Sequence, residues 1–149
     1  METNSIPWQG FHHIALVTRD LDATVRFYGE TLGMTVSYVF EGHALRGRHV
    51  FVKPGESTAW GLHFFDAPDA TAFISPWPPD PNRFIPGALQ HIAFALPDEA
   101  AGLALHARLE ASNVSVTPVN TIGPLRNFLF NDNNGYLLEA TWPRSEFIS

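Results

Sequence analysis

The tripeptide His-Ile-Ala occurs at 13–15 and again at 91–93, and each histidine is followed seven residues later by an aspartate, Asp20 and Asp98. "HIALVTRD" therefore lies over "HIAFALPD", and both are apolar enough to be strands. The segments downstream of the two phrases correspond as well. "LDATVRFYGETLG" spaces Leu21, Val25, Tyr28 and Leu32 along one helix face, with Asp20 or Asp22 to cap its start and Gly33 to close its end. "DEAAGLALHARLEAS" predicts a second helix capped by Asp98, with Leu105 and Leu109 on one face. "MTVSYVF" and "VSVTPVN" predict the next strands. "HVFVK" and "WGLHFF" then flank the turn-rich "PGEST", as "RNFLF" and "YLLEATW" flank "NDNNG". Each half reads β-α-β-β-β, so the chain is expected to fold as two related modules.

Between the halves lies "DAPDATAFISPWPPDPNRFIPG". Its six prolines, at 68, 76, 78, 79, 81 and 86, exclude a central strand or helix. Phe73, Ile74, Trp77, Phe84 and Ile85 need somewhere to pack, so this linker is expected to border a cleft rather than hang free. The expected division is a first module over 1–66, a proline-rich linker over 67–87, and a second module over 88–149 with a short tail.

Composition narrows the function classes. A chain of 149 residues, 45% of them apolar, can bury a core. Its net charge of -6 gives no basic footprint for nucleic acid. "METNSIPWQG" has no hydrophobic signal core, and no apolar run is long enough to span a bilayer, so a cytoplasmic protein without a membrane partner is expected. With no cysteine, a metal can be held only by histidine, carboxylate or carbonyl groups.

Strand alternation puts His13, Ala15 and Val17 on one face and His91, Ala93 and Ala95 on the equivalent face of the second half. His63 interrupts "WGLHFF" fifty residues after His13; Glu139 interrupts "YLLEATW" forty-eight after His91. Polar residues inside apolar strands are costly to bury alone. Each alone fits an ordinary core or surface residue; related by a repeat, they point to metal coordination. Two imidazoles and a carboxylate suit Fe(II), and also Zn, Mn, Ni or Co. Asn127 and Leu129 share a face nearby and are candidate substrate contacts, as is Trp77 of the linker. Arg46, Arg48 and His49 could meet an anion, though a solvated strand end is the simpler reading for the arginines. His12 should point away from His13; His43 and His106 read as surface or packing residues, and Phe64, Phe128 and Phe130 as core.

"HIALVTRDLDATVRFYGETLGM" and "FNDNNGYLLEATW" together resemble the opening and the closing hairpin of the vicinal oxygen chelate superfamily, which includes glyoxalase I, bleomycin-resistance proteins and type I extradiol dioxygenases. The resemblance runs from Phe11 to about Trp142. Asn133 stands where the family often has proline before the glutamate. The resemblance implies an α+β fold of two paired βαβββ modules whose curled mixed sheets form a metal cleft. It implies His13, His91 and Glu139 as ligands of one divalent ion. His63 falls near a position usually held by Glu or Gln, as a further ligand or a catalytic base beside Glu139. The implied chemistry is glyoxalase-like isomerase or lyase action on a small oxygen-bearing substrate. The alternatives are an Fe(II) extradiol-type dioxygenase and a metal-free resistance-type binding protein. Leu129 stands where the dioxygenases resemble one another in a tyrosine, and Asn120 near their helper histidine, which argues against ring cleavage. Retention of the ligand set argues against the metal-free reading. The family closes its cleft within one chain or across two; a homodimer is expected here, because small paired modules leave sheet edges to cover.

Overall fold

The computed structural model describes residues 6–42, 47–56, 59–73, 76–80 and 85–147; His43, Arg46, Ile74 and Phe84 lie outside them. Strand β1 (His13–Thr18) leads into helix α1 (Leu21–Arg26), which widens into a π-helical turn over Phe27–Thr31. Strands β2 (Thr35–Val36), β3 (His49–Lys53) and β4 (Gly61–Asp66) complete the first module. The second comprises β5 (Ile92–Ala95), α2 (Glu99–Ala111), β6 (Asn120–Ile122), β7 (Leu125–Asn131) and β8 (Leu137–Pro143). The sheets have orders β1-β4-β3-β2 and β5-β8-β7-β6. In each, the first strand pairs parallel with the last and the other pairings are antiparallel. The repeated phrase thus marks a repeated topology.

Both helices begin where expected. Asp20 accepts from the Ala23 backbone N–H, and Asp98 from that of Ala101, each at 2.9 Å. Gly33 closes the first helix at φ +72°, a conformation that suits a residue without Cβ. Two strands are shorter than expected. "MTVSYVF" pairs only over Thr35–Val36, with a single further bridge from Phe40 to His49. "VSVTPVN" gives one bridge, Val116 to Phe130, before β6 begins at Asn120. Pro118 has no N–H to donate to a ladder and sits at that interruption.

Alternation decides which face of each sheet is covered. In the first sheet Leu16, Val50, Val52, Leu62 and Phe64 are buried against Leu21, Phe27 and Tyr28. In the second, Ile92, Phe128, Phe130, Leu138, Ala140 and Trp142 are buried against Leu109. These strand residues are even-numbered. Among the described residues no helix covers the odd-numbered faces, which carry His13, His63 and Glu139. Under α2 the fit is close. A Cβ on Gly102 would lie 2.7 Å from ring carbons of Trp142, whose Nε1 donates to Glu99 at 2.7 Å.

The modules meet through a polar junction. Tyr28, fully buried, donates its hydroxyl to Asp132 Oδ2 at 2.9 Å. Asp132 Oδ1 accepts from the backbone N–H groups of Asn134 and Tyr136 at 2.8 Å, which shapes the "NDNNG" turn. Thr18 reaches Asn134 Oδ1 at 2.6 Å. The Tyr136 hydroxyl donates to the Val17 carbonyl at 3.0 Å and accepts from the Val17 N–H at 3.1 Å. Burial pushes the Asp132 carboxyl above its ordinary value, and the hydrogen bonds it accepts only partly offset that effect.

Gly102→Ala should cost about 1–3 kcal/mol through overpacking against Trp142, read as a lower denaturation midpoint at unchanged slope. For Asp132 the folded carboxyl binds its proton more tightly than the unfolded one. Its stabilising contribution is therefore fully present below the ordinary carboxylate range and is lost as pH rises through the raised folded value. Measured as wild type minus Asp132→Asn, stability should fall across that window; a flat or rising difference would contradict the assignment.

Candidate functional site

The uncovered face of the first sheet is a wall of rings. His13 and His63 have ring centroids 5.4 Å apart. Register explains their meeting: β1 and β4 run parallel with Ala15 beside His63, and Ala15 is small enough to leave the imidazoles room. His63 is buried, stacked on Phe51 at 3.9 Å and tilted against Phe65 at 4.1 Å. His49 joins them, 5.1 Å from His63 and stacked flat on Phe40 at 4.8 Å. Its Nδ1 lies 3.1 Å from the Gly47 carbonyl, which can only accept, so the proton sits on Nδ1.

The equivalent face of the second sheet holds a hydrogen-bonded chain. His91 Nε2 lies 2.9 Å from Glu139 Oε2, and Asn127 Nδ2 donates to Glu139 Oε1 at 2.8 Å. On the other side of the ring, His91 Nδ1 meets the Gln90 side-chain oxygen. Ala93 is the β5 partner of Glu139, and Leu129 is its partner on β7. The His91 and Glu139 side chains retain 35% and 15% of their exposure, so an ion or small molecule can reach the pair.

The sequence-predicted ligands thus stand as two pairs, His13 with His63 and His91 with Glu139. Among the described residues no three histidine or carboxylate side chains of one chain gather around a single point. Asn127 lies against Glu139 as a partner of the carboxylate, and Leu129 presents an aliphatic side chain beside it. Trp77 is 38% exposed.

The linker lies along the second module. Phe73, Pro76, Pro79 and Ile85 enclose a hollow of about 60 Å³ with Gln90 and Leu137. A larger cleft of about 800 Å³ runs between Val17 and Arg19, linker residues Pro68 and 70–73, Gln90 and the 131–137 turn. Trp77 is outside both sets of walls.

His12 departs from expectation. Its Nδ1 is 2.8 Å from that of His13, because β1 begins at His13 and strict alternation does not extend to the residue before it. Arg48 is engaged with Asp22 at 2.9 Å and Asp66 at 3.4 Å, which fits the strand-end reading over an anion site. His106 packs on Phe128 and donates from Nε2 to the Thr117 carbonyl, as a packing residue should. Sequence reasoning missed the placement of His49 beside His63, although odd-numbered parity on β3 carried that signal. It also missed Gln90, for which adjacency to His91 alone carried none.

The fold has counterparts among solved structures. A glyoxylase/bleomycin resistance protein/dioxygenase domain from Frankia sp. EAN1pec superposes with a TM-score of 0.73 at 20% identity, covering 93% of this chain and 94% of that one. Lactoylglutathione lyase from Agrobacterium tumefaciens gives 0.62 at 20% identity, over 92% and 96%. TnmS3, an antibiotic binding protein from Streptomyces sp. CB03234, gives 0.67 at 20% identity, over 94% and 100%. At such identity these likenesses concern the fold alone. No curated protein matches the sequence. The sequence profile of the Glyoxalase/Bleomycin resistance protein/Dioxygenase superfamily, however, matches residues 10–140. With the two βαβββ modules in place, the chain belongs to that superfamily.

Proposed function

We propose that this chain is a divalent-metal-dependent enzyme of the glyoxalase type, acting on a small oxygen-bearing substrate by isomerase or lyase chemistry. Its ion would be held by His91 and Glu139 together with His13 and His63 from a second copy of the chain. The observation that carries this reading is His91. Its Nε2 lies 2.9 Å from Glu139 Oε2 on a partly exposed sheet face, and Asn127 braces the other carboxylate oxygen, so an imidazole and an oriented carboxylate converge as metal ligands do. A divalent ion would be held by His91 Nε2 and Glu139 Oε2, which lie close enough together to serve as donors to one centre. Fe, Zn, Mn, Ni and Co all suit this donor set.

A second copy is invoked because one chain presents the four residues as two pairs. Each pair lies on an uncovered sheet face, so a dimer that sets the first module of one copy against the second module of the other would complete two equivalent sites. A bound ion supplies Lewis-acid polarisation of a substrate oxygen. The chain's own residues do the rest. Asn127 fixes Oε1 of Glu139 and leaves Oε2 to hold the ion; only on loosening from the ion would Oε2 take up or return a proton. His63, held between Phe51 and Phe65, can serve as a ligand or as a second proton carrier. Leu129, paired opposite Glu139, offers no proton, which favours isomerase or lyase chemistry over oxygen-dependent ring cleavage.

Protein loaded separately with Fe(II), Zn, Mn, Co and Ni should bind one ion per chain, measured by elemental analysis after gel filtration. His91→Ala and Glu139→Ala should weaken binding more than about 100-fold, and Asn127→Ala by about 10–100-fold, the usual effect of losing a group that orients a ligand. Light scattering should give a dimeric mass. His13→Ala and Glu139→Ala, each unable to bind, should recover about a quarter of the wild-type sites when mixed and refolded together, since half the dimers are mixed and each has one intact site. No recovery in a dimer would place the site within one chain. Absence of any ion under every loading would support a metal-free binding protein, and oxygen uptake on catechols by the iron form would support the dioxygenase.

A further inference from the structure

The 800 Å³ cleft beside β1 is of the size that takes a small organic ligand, and its walls are mixed in character. Val17, Phe73, Leu89 and Leu137 supply apolar surface, and the "NDNNG" turn supplies amides. Arg19 donates from Nε to the Pro68 carbonyl at 3.2 Å, holding the linker across it. Asn131 stands at the end of β7 on the same odd-numbered face as Asn127. It lines the cleft, and its Oδ1 is buried with no hydrogen-bond partner among the described residues. An acceptor in that state has given up water without gaining a protein donor, so a ligand in the cleft that supplies an N–H or O–H recovers the loss once rotation about χ2 turns Oδ1 toward it.

The cleft also touches the metal pair. Gln90 lines it and contacts His91 Nδ1. Leu137 lines it two residues before Glu139 on one face of β8, about 7 Å along the strand. We propose that this cleft is the subsite for the non-reacting part of the substrate, an apolar body bearing a hydroxyl or amine, and that Asn131 is the residue that reads its donor. The inference rests on the reading that the reacting end sits at His91 and Glu139.

Binding of 3-phenylpropan-1-ol and of its methyl ether, which lacks the donor, tests the proposal by NMR titration of metal-free protein. The alcohol should shift the Asn131 side-chain amide and the backbone signals of Leu89 and Leu137. It should bind about fivefold more tightly than the ether, the usual worth of one hydrogen bond. Asn131→Leu should abolish that preference, and Asn131→Asp, which keeps an acceptor, should preserve it. Equal binding of the two probes to wild type, shifts that map away from the cleft, or a preference that survives Asn131→Leu would overturn the proposal. If Asn131→Leu does not fold, the wild-type comparison and Asn131→Asp still decide. Repeating the titration on His91→Ala separates the two readings. An intact alcohol preference in protein that binds no metal would leave the subsite standing and count only against the metal site.

Discussion

The Tyr28 hydroxyl, sealed from water and bonded to Asp132, is the contact on which the arrangement of the two modules depends. Tyr28 belongs to the turn that ends the first helix; Asp132 shapes the hairpin that delivers Glu139. One hydrogen bond therefore joins the covered side of the first sheet to the turn that positions the second module's carboxylate. Leaving either group buried without its partner would be far costlier than the bond itself is stabilising. The surrounding amides and hydroxyls of Thr18, Thr24, Asn133 and Asn134 satisfy one another at the same junction.

From that junction the two sheets diverge in chemistry while keeping one topology. Each uses its even-numbered strand residues for a helix-covered core and leaves its odd-numbered residues facing outward. On the first sheet that outward face became imidazoles set among phenylalanines. On the second it became a carboxylate braced by an amide and an imidazole. The ring wall and the polar bracket differ in character: one surrounds its imidazoles with apolar rings, the other holds a carboxylate by hydrogen bonds.

Much of this was legible in the sequence. The His-Ile-Ala repeat, the aspartate caps and the turn-rich hairpins marked both modules, because strand alternation and helix capping are local and leave local signatures. Strand parity put His13, His63, His91 and Glu139 on odd-numbered faces, but the expected grouping of His13, His91 and Glu139 around one ion is not how one chain holds them: they stand as two pairs. The rest depended on distant packing. β2 shrank to Thr35–Val36 despite a longer apolar run, because pairing needs a partner in register as well as propensity. The position of Gln90 on the His91 ring, the burial of Asn131 Oδ1 and the stacking of His49 on Phe40 are side-chain outcomes that no spacing rule encodes. Trp77 shows the converse: an aromatic residue in a proline-rich segment invited a wall assignment, while Phe73 and Ile85 on either side of it took that place.

The Tyr136 phenol has a consequence for assembly. The carbonyls of His12, just before β1, and of Thr18, at its end, turn inward toward β4 and the residue after it, so the backbone groups of Val17 face the sheet's open edge. There one side-chain oxygen answers both the N–H and the C=O of Val17, as a neighbouring strand would. The edge is stoppered at that point by a side chain and is closed to strand addition. Because a phenol, unlike a ladder of amides, imposes no register along its partner, the two four-stranded sheets can abut without fusing into one. Each half keeps its own strand order and register, and nothing in the chemistry of the joint requires its two sides to come from one molecule.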